Sequence, residues 1–379
     1  MKKILVVDDS ALMRRVLCDI INSDSRFHVE DRANNGVEAL ELLGRKSYDA
    51  VVLDVNMPQM NGLELLKELQ DRRIAVRVMM ASTDTREGAK TTLDALDLGA
   101  LDFIHKPNNA MDCRGDSFKN RMLSILAVVA DSRLPVFKSR PKSVESEKTS
   151  RKVLELVGRH TSSVMGNKVI ALASSTGGPK ALHSVIPKLP GNLNAPLVIV
   201  QHMPAGFTAS LAERLNSLSQ ISVKEAAEGD VLEAGKVYIA KGGKHLNIVY
   251  SGGRHIVHYS DEPTREGVKP CANYMYESLR DSRYDQVVCV VLTGMGADGT
   301  QGIRNLKAAK KIQVIAQEES TCAVYGMPKS VVKAGVTDQI VPLEQIAQDT
   351  GKNYGRTVIF YPETGDFVIR AVGKPESTI

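Results

Sequence analysis

Short runs of uninterrupted apolar residues alternate with amphipathic stretches through most of this chain, and the alternation lapses twice. Residues 4–7, 51–53 and 76–80 are Val/Ile/Leu-rich runs that predict strands, and 11–21 and 63–69 carry apolar residues at helical spacing. The rhythm resumes from Lys168 with strand-like runs at 169–173, 197–200, 237–240, 287–292 and 314–316, and a helix is expected through Leu182 after a Gly-rich turn. Alternation of this kind predicts βα units on a parallel sheet. The fold class expected is α/β, with two doubly wound parallel-sheet domains joined by a linker.

The first lapse, 131–165, is rich in Ser, Pro and Lys and poor in apolar residues, so it reads as a linker, with 152–157 as a short helix within it. The second lapse precedes two strand-like runs around Pro362-Glu363-Thr364-Gly365, which predict a β-hairpin of unassigned purpose. The domains expected are therefore 1–130, a linker at 131–165, 166–349, and an extension at 350–379. A length of 379 residues suits two cores of ordinary size.

Composition removes several function classes. No apolar run approaches the roughly 20 residues of a membrane span, and Asp8 and Asp9 fall where a signal peptide would stay apolar. The five cysteines show no metal-ligand spacing, so reduced thiols and a cytoplasmic location are expected. A net charge of +5 with seven Phe and no Trp does not indicate nucleic-acid binding, and no helix-turn-helix signal follows the linker.

Two sets of reactive residues fall just past predicted strands, where ligands gather in open α/β sheets. The first is Asp8, Asp9 and Asp54, with Ser82 and Lys106 downstream. Carboxylates crowded at strand ends are tolerated when a hard cation such as Mg²⁺ sits among them. Asp54 would then be a nucleophile toward phosphate, Lys106 would neutralise the phosphoryl charge, and Ser82 would hydrogen-bond a phosphoryl oxygen. Lys106-Pro107 also invites a cis peptide. The segments Val6-Val7-Asp8-Asp9-Ser10, Leu53-Asp54-Val55-Asn56-Met57-Pro58, Ser82 and Asp102-Phe103-Ile104-His105-Lys106-Pro107 resemble a response-regulator receiver domain of flavodoxin-like fold. The resemblance implies phosphorylation of Asp54 by a chemotaxis histidine kinase. It also implies Mg²⁺ on Asp8, Asp9, Asp54 and the Asn56 carbonyl, and a switch formed by Ser82 and Phe103 with Lys106.

The second set is Ser175, His202 and Asp298. Ser175 lies in a sharp turn between a buried strand and a helix, a place where backbone amides favour an oxyanion. From spacing alone two readings stay open. One is a Ser-His-Asp triad, with His202 as base and Asp298 orienting it; the other is a phosphate cradle, which lacks a GK[ST] ending and gives His202 and Asp298 no role. Ser175-Thr176-Gly177-Gly178, Gln201-His202-Met203-Pro204, Lys244-His245, Leu292-Thr293-Gly294-Met295-Gly296-Ala297-Asp298-Gly299 and Tyr325-Gly326-Met327-Pro328 are similar to the Rossmann-like catalytic domain of chemotaxis protein-glutamate methylesterases.

That resemblance implies Ser175 as nucleophile, with Thr176 beside it in the motif, His202 as base and Asp298 as its orienter. It adds the Met295 amide as an oxyanion donor, with no cofactor in this domain. The implied substrates are glutamyl methyl esters on methyl-accepting chemoreceptors, and in some members receptor glutamines. Ala173, Gly243 and Asn273 depart from the pattern, and Asn273 is placed in a substrate-groove segment.

Phosphorylation adds charge at one strand end of the first domain, so a receiver face packed over the Ser175 cleft would be released by it. The competing class is a non-enzymatic, phosphorylation-dependent adaptor.

Overall fold

The computed structural model describes residues 1–83, 86–107, 113, 115–134, 167–351, 356–361 and 366–371. The first domain is a five-stranded, wholly parallel sheet of order β2-β1-β3-β4-β5, built from β1 (Lys2–Val7), β2 (Phe27–Ala33), β3 (Ala50–Asp54), β4 (Val78–Thr83) and β5 (Asp102–Lys106). Between them run α1 (Ala11–Asn22), α2 (Gly36–Arg45), α3 (Gly62–Asp71), α4 (Arg86–Asp97) and, after β5, α5 (Asp116–Asp131). β3 is buried along its full length because helices cover both faces, which is why it reads as an unbroken apolar run.

The second domain holds a seven-stranded parallel sheet of order β14-β13-β12-β6-β7-β9-β8. Its strands are β6 (Lys168–Ser174), β7 (Leu197–Gln201), β8 (Ser222–Glu225), β9 (Lys236–Ile239), β12 (Gln286–Val291), β13 (Ile312–Gln317) and β14 (Gln339–Val341). The antiparallel pair β10 (His245–Ser251) and β11 (Arg254–Ser260) stands apart as a separate ribbon. Helices α6 (Gly178–Val185), α7 (Phe207–Leu218), α8 (Ala272–Ser278), α9 (Thr300–Ala309), α10 (Met327–Lys333) and α11 (Leu343–Gly351) complete the domain. The strand order reverses between β6 and its two neighbours, β7 and β12, so the crevice at their carboxyl ends is the topological switch point. Beyond it, β15 (Arg356–Tyr361) and β16 (Asp366–Ala371) pair antiparallel.

The α/β class with parallel sheets agrees with the sequence. Strands β2, β8, β10 and β11 mix apolar residues with polar, partly exposed ones, because each lies at a sheet edge or in the separate ribbon. The residues 152–157 fall outside the described residues. Lys106-Pro107 is not cis; the cis peptide among the described residues is Lys269-Pro270. Lys106 is placed instead by two ion pairs at the end of β5, which fix its amine without help from the peptide bond.

Candidate active site and its regulatory pocket

The end of β6 delivers Ser175 into a turn with almost no steric freedom. Gly177 has φ +75°, a left-handed conformation that side chains other than glycine's resist, and a Cβ there would meet the Ala323 methyl at 2.6 Å. At Gly178 a Cβ would sit 2.0 Å from Gln201 Oε1. Both glycines are therefore demanded by close packing under Ser175. The Ser175 amide donates to the Thr293 carbonyl at 3.0 Å, and its carbonyl accepts from the Gly178 amide at 2.7 Å.

Gln201, buried at the end of β7, ties the site together. Its Oε1 accepts from Ser174 Oγ at 2.7 Å, and its Nε2 donates to the carbonyls of Ser175 at 3.0 Å and His202 at 3.2 Å. The Ser175 turn and His202 are thus held by one side chain. Gln201 and Thr293 were not singled out as positioning residues in the sequence; Thr293 Oγ1 donates to the Thr176 carbonyl at 3.0 Å and accepts from the Val324 amide.

His202 meets Asp298 through Nε2, at 2.8 Å. The ring nitrogen left without a bond to Asp298 is Nδ1. Asp298 is nearly fully buried, yet every direction around its carboxylate holds a donor. Oδ2 accepts from the Ala272 amide at 2.6 Å as well as from His202, and Oδ1 accepts from the amides of Asn273 at 3.0 Å and Gly299 at 2.8 Å and from the Cys271 thiol at 3.0 Å. Burial pushes the Asp298 carboxyl up, but the bonds from His202, Cys271 and Ala272 outweigh it and hold the group below the ordinary carboxylate range. An ionised Asp298 requires Nε2 of His202 to donate, which fixes the tautomer that leaves Nδ1 basic.

Met295 lies in the loop after β12, and Gly294 beside it comes so close that an added Cβ would be 2.8 Å from Ser175 Cβ. The Met295 amide donates to no acceptor among the described residues, so it is available to a ligand oxygen. Ser175 Oγ likewise makes no hydrogen bond there. Asn273 departs from the sequence expectation of a groove position: it is fully buried, and its Oδ1 accepts from the Gly299 and Gly302 amides at 3.1 and 2.7 Å. It shapes the turn that carries Asp298.

The first domain's acidic pocket forms at the ends of β1 and β3. Carboxylate oxygens of Asp8, Asp9 and Asp54 come within 4.8 Å of one another. Lys106 Nζ bridges Asp8 Oδ2 at 2.9 Å and Asp54 Oδ1 at 2.7 Å. Burial raises the Asp54 carboxyl, with Lys106 opposing, while Lys106 is itself buried but held as an ammonium by the two acids. Asn56 is exposed in the turn after β3. Ser82 lies near by, but its Oγ accepts from Thr92 Oγ1 at 2.7 Å and donates to the Gly88 carbonyl at 3.4 Å, both on α4.

The two domains meet through β5 and α4. Phe103 is buried and stacks on Phe207 of α7, ring centroids 4.6 Å apart. Asp102 accepts a hydrogen bond from Thr176, the residue after Ser175. Part of Asp102 remains in solvent, but protein atoms crowd its carboxyl and push its pKa up, against the pull of Thr176 and His202. Beside them, Arg214 of α7 binds both Asp94 and Asp97 of α4, and Asp97 also meets His183 of α6.

The fold and these pockets define a two-domain α/β protein in which a domain with a receiver-type acidic pocket packs, through β5 and α4, against the domain that carries a strand-end Ser, His and Asp. The CheB methylesterase family matches residues 170–350, and the response regulator receiver domain family matches 4–114. A protein-glutamate methylesterase/protein-glutamine glutaminase of Pyrococcus abyssi is 40% identical over 375 residues, 94% of this chain and 97% of its own. A protein of the same description from Bacillus subtilis is 41% identical over 351 residues, 92% of this chain and 97% of its own. The crystal structure of the Thermotoga maritima CheB methylesterase catalytic domain is 40% identical and covers 49% of this chain and 98% of that one, with a TM-score of 0.48. The chain belongs to the CheB methylesterase family, in the form that carries a response-regulator receiver domain. Among the described residues no helix is long and apolar enough to cross a membrane.

Proposed function

We propose that this protein hydrolyses glutamyl methyl esters on chemoreceptors to glutamate and methanol, and that phosphorylation of Asp54 by a chemotaxis histidine kinase exposes the site. The observation that carries the reading is the Nε2 bond from His202 to a fully satisfied Asp298, one strand away from Ser175. Ser175 Oγ attacks the ester carbonyl while His202 Nδ1 takes its proton. The Met295 amide stabilises the oxyanion, and the developing imidazolium is balanced by Asp298. His202 then returns the proton to the departing methoxide, and water, activated in the same way, releases glutamate from the acyl-enzyme. A glutamine side chain presents the same acyl carbon, so deamidation would use the same groups with ammonia as the leaving group.

In the receiver, Asp8, Asp9, Asp54 and the Asn56 carbonyl offer the hard oxygen donors that suit Mg²⁺, and their mutual repulsion favours a cation between them. Mg²⁺ there would neutralise phosphoryl charge. Lys106 is already placed to do the same, and Ser82 would turn from α4 toward the phosphoryl oxygen. That turn loosens α4 and β5, the elements that hold Asp102 against Thr176 and Phe103 against Phe207.

Methanol release from methylated receptor membranes tests the proposal. A small phosphodonor with Mg²⁺ should raise the wild-type rate by about 5-fold or more, the scale of ordinary coupling energies, and Asp54→Asn should show no rise. No release from any receptor, with or without phosphodonor, would favour the adaptor reading. Arg214→Ala removes the clamp on Asp94 and Asp97 while leaving every residue around Ser175 in place, so basal release should rise several-fold and the phosphodonor effect should shrink. A lower basal rate in that variant would mean that the interface supports the cleft instead of closing it.

A further inference from the structure

His245, the first residue of β10, is fully buried beside the site and has no part in the steps above. Its Nδ1 accepts the Cys271 amide at 3.2 Å. Cys271 opens the segment that grips Asp298: its thiol donates to Oδ1, and the next two amides, Ala272 and Asn273, donate to Oδ2 and Oδ1. β10 is tied to α8 a second time, where Ser278 Oγ accepts the Ile248 amide at 2.9 Å, so the strand splints the helix at both ends. Only the His245 end reaches the residues bonded to Asp298.

We propose that His245 is a positioning residue for the esterase, its Nδ1 lone pair fixing the Cys271 amide and thereby the thiol and amides that clasp Asp298. The arrangement requires a neutral ring, because a proton on Nδ1 would face an N–H. The surroundings favour that form. Burial and Lys269 lower the His245 pKa, against Glu262, the Pro263 carbonyl and Asp298, and Tyr274 packs on the ring at 4.7 Å. Nε2 faces the Pro263 carbonyl without a well-formed hydrogen bond, so Nδ1 is the ring atom that reaches the segment bonded to Asp298. A histidine that merely fills the core would need no acceptor at that point.

The inference rests on the esterase reading, and the experiment separates the two. Full-length wild type, His245→Leu and His245→Asn are compared for methanol release with phosphodonor, and for the downfield proton resonance of the His202 N–H bonded to Asp298. Leu removes the acceptor, whereas Asn can present an oxygen near the Nδ1 position. The expected result is a fall in kcat of roughly 10- to 100-fold in His245→Leu with KM within 2-fold, since small misplacements of catalytic groups cost that much. The resonance should be lost to exchange in His245→Leu, and both properties should largely return in His245→Asn. A folded His245→Leu that keeps kcat within 2-fold, or keeps the resonance while losing rate, overturns the proposal. If His245→Leu does not fold, Cys271→Ala decides: removing the thiol donor should speed exchange of the His202 proton, and unchanged exchange counts against the clasp. A wild type that releases no methanol sinks the esterase reading, while the resonance still reports on the positioning.

Discussion

Ser175→Ala is expected to lower kcat for methanol release by on the order of 10⁵- to 10⁶-fold, with phosphodonor present, and to leave the fold unchanged. The size of the effect follows from the role: without Oγ no acyl-enzyme can form, and His202 and Asp298 have nothing to deprotonate. Stability should be spared because the turn is held by the Ser175 backbone and not its hydroxyl. The amide binds Thr293, the carbonyl is held by Gly178 and Gln201, and Oγ has no partner among the described residues. The melting temperature should therefore stay within a degree or two of wild type. A variant that melts normally and still releases methanol at the wild-type rate would move the chemistry away from Ser175.

Asp298→Asn is expected to cost about 10⁴-fold in kcat and, unlike Ser175→Ala, to destabilise the domain. The carboxylate accepts three backbone amides, one thiol and the His202 ring. An amide nitrogen in place of Oδ1 would face the Asn273 and Gly299 N–H groups. In place of Oδ2 it would face the Ala272 N–H and force the His202 proton onto Nδ1, the nitrogen needed as base. Neither orientation satisfies the pocket, and an unpaired buried group costs about 1–3 kcal/mol, or several degrees of melting temperature for a domain of this size. The folded-state pKa of Asp298 lies below its unfolded value, so the stability it adds is present above about pH 4 and lost as pH falls through the folded value. Thermal melts should show the gap between wild type and Asp298→Asn narrowing in acid. A gap that widens there would mean that Asp298 is not held ionised.

The residues that could be read directly are those at the ends of doubly buried strands. β1, β3, β6, β7 and β12 are nearly continuous apolar runs because helices cover both faces, so the polar residue that follows each one stands out: Asp8, Asp54, Ser175, His202, and Asp298 after a short loop. Edge strands gave no such contrast, since one face of β2 or β8 is wet. Gln201 carries no signal of its own in the sequence, because a glutamine ending a strand looks like any loop residue until its three bonds are seen. The role of the Cys271 segment depends on a fold-back to Asp298 across 27 residues, which no local period encodes. The contacts of Asp94, Asp97, His183 and Arg214 were equally hidden, for charged positions on amphipathic helices read as solvated faces.

The Gln201 bracket bears on what kind of signal this protein can transmit. Ser175 and His202 are fastened to each other by a side chain whose hydrogen bonds run to Ser174, Ser175 and His202, so a receiver movement that spares those bonds leaves their relation intact. Input would then alter how many molecules in a population are competent and not how fast each competent molecule turns over. The output of such a device is a head count, proportional to the fraction phosphorylated at any moment, and it fades at the rate at which the phosphoryl groups are lost.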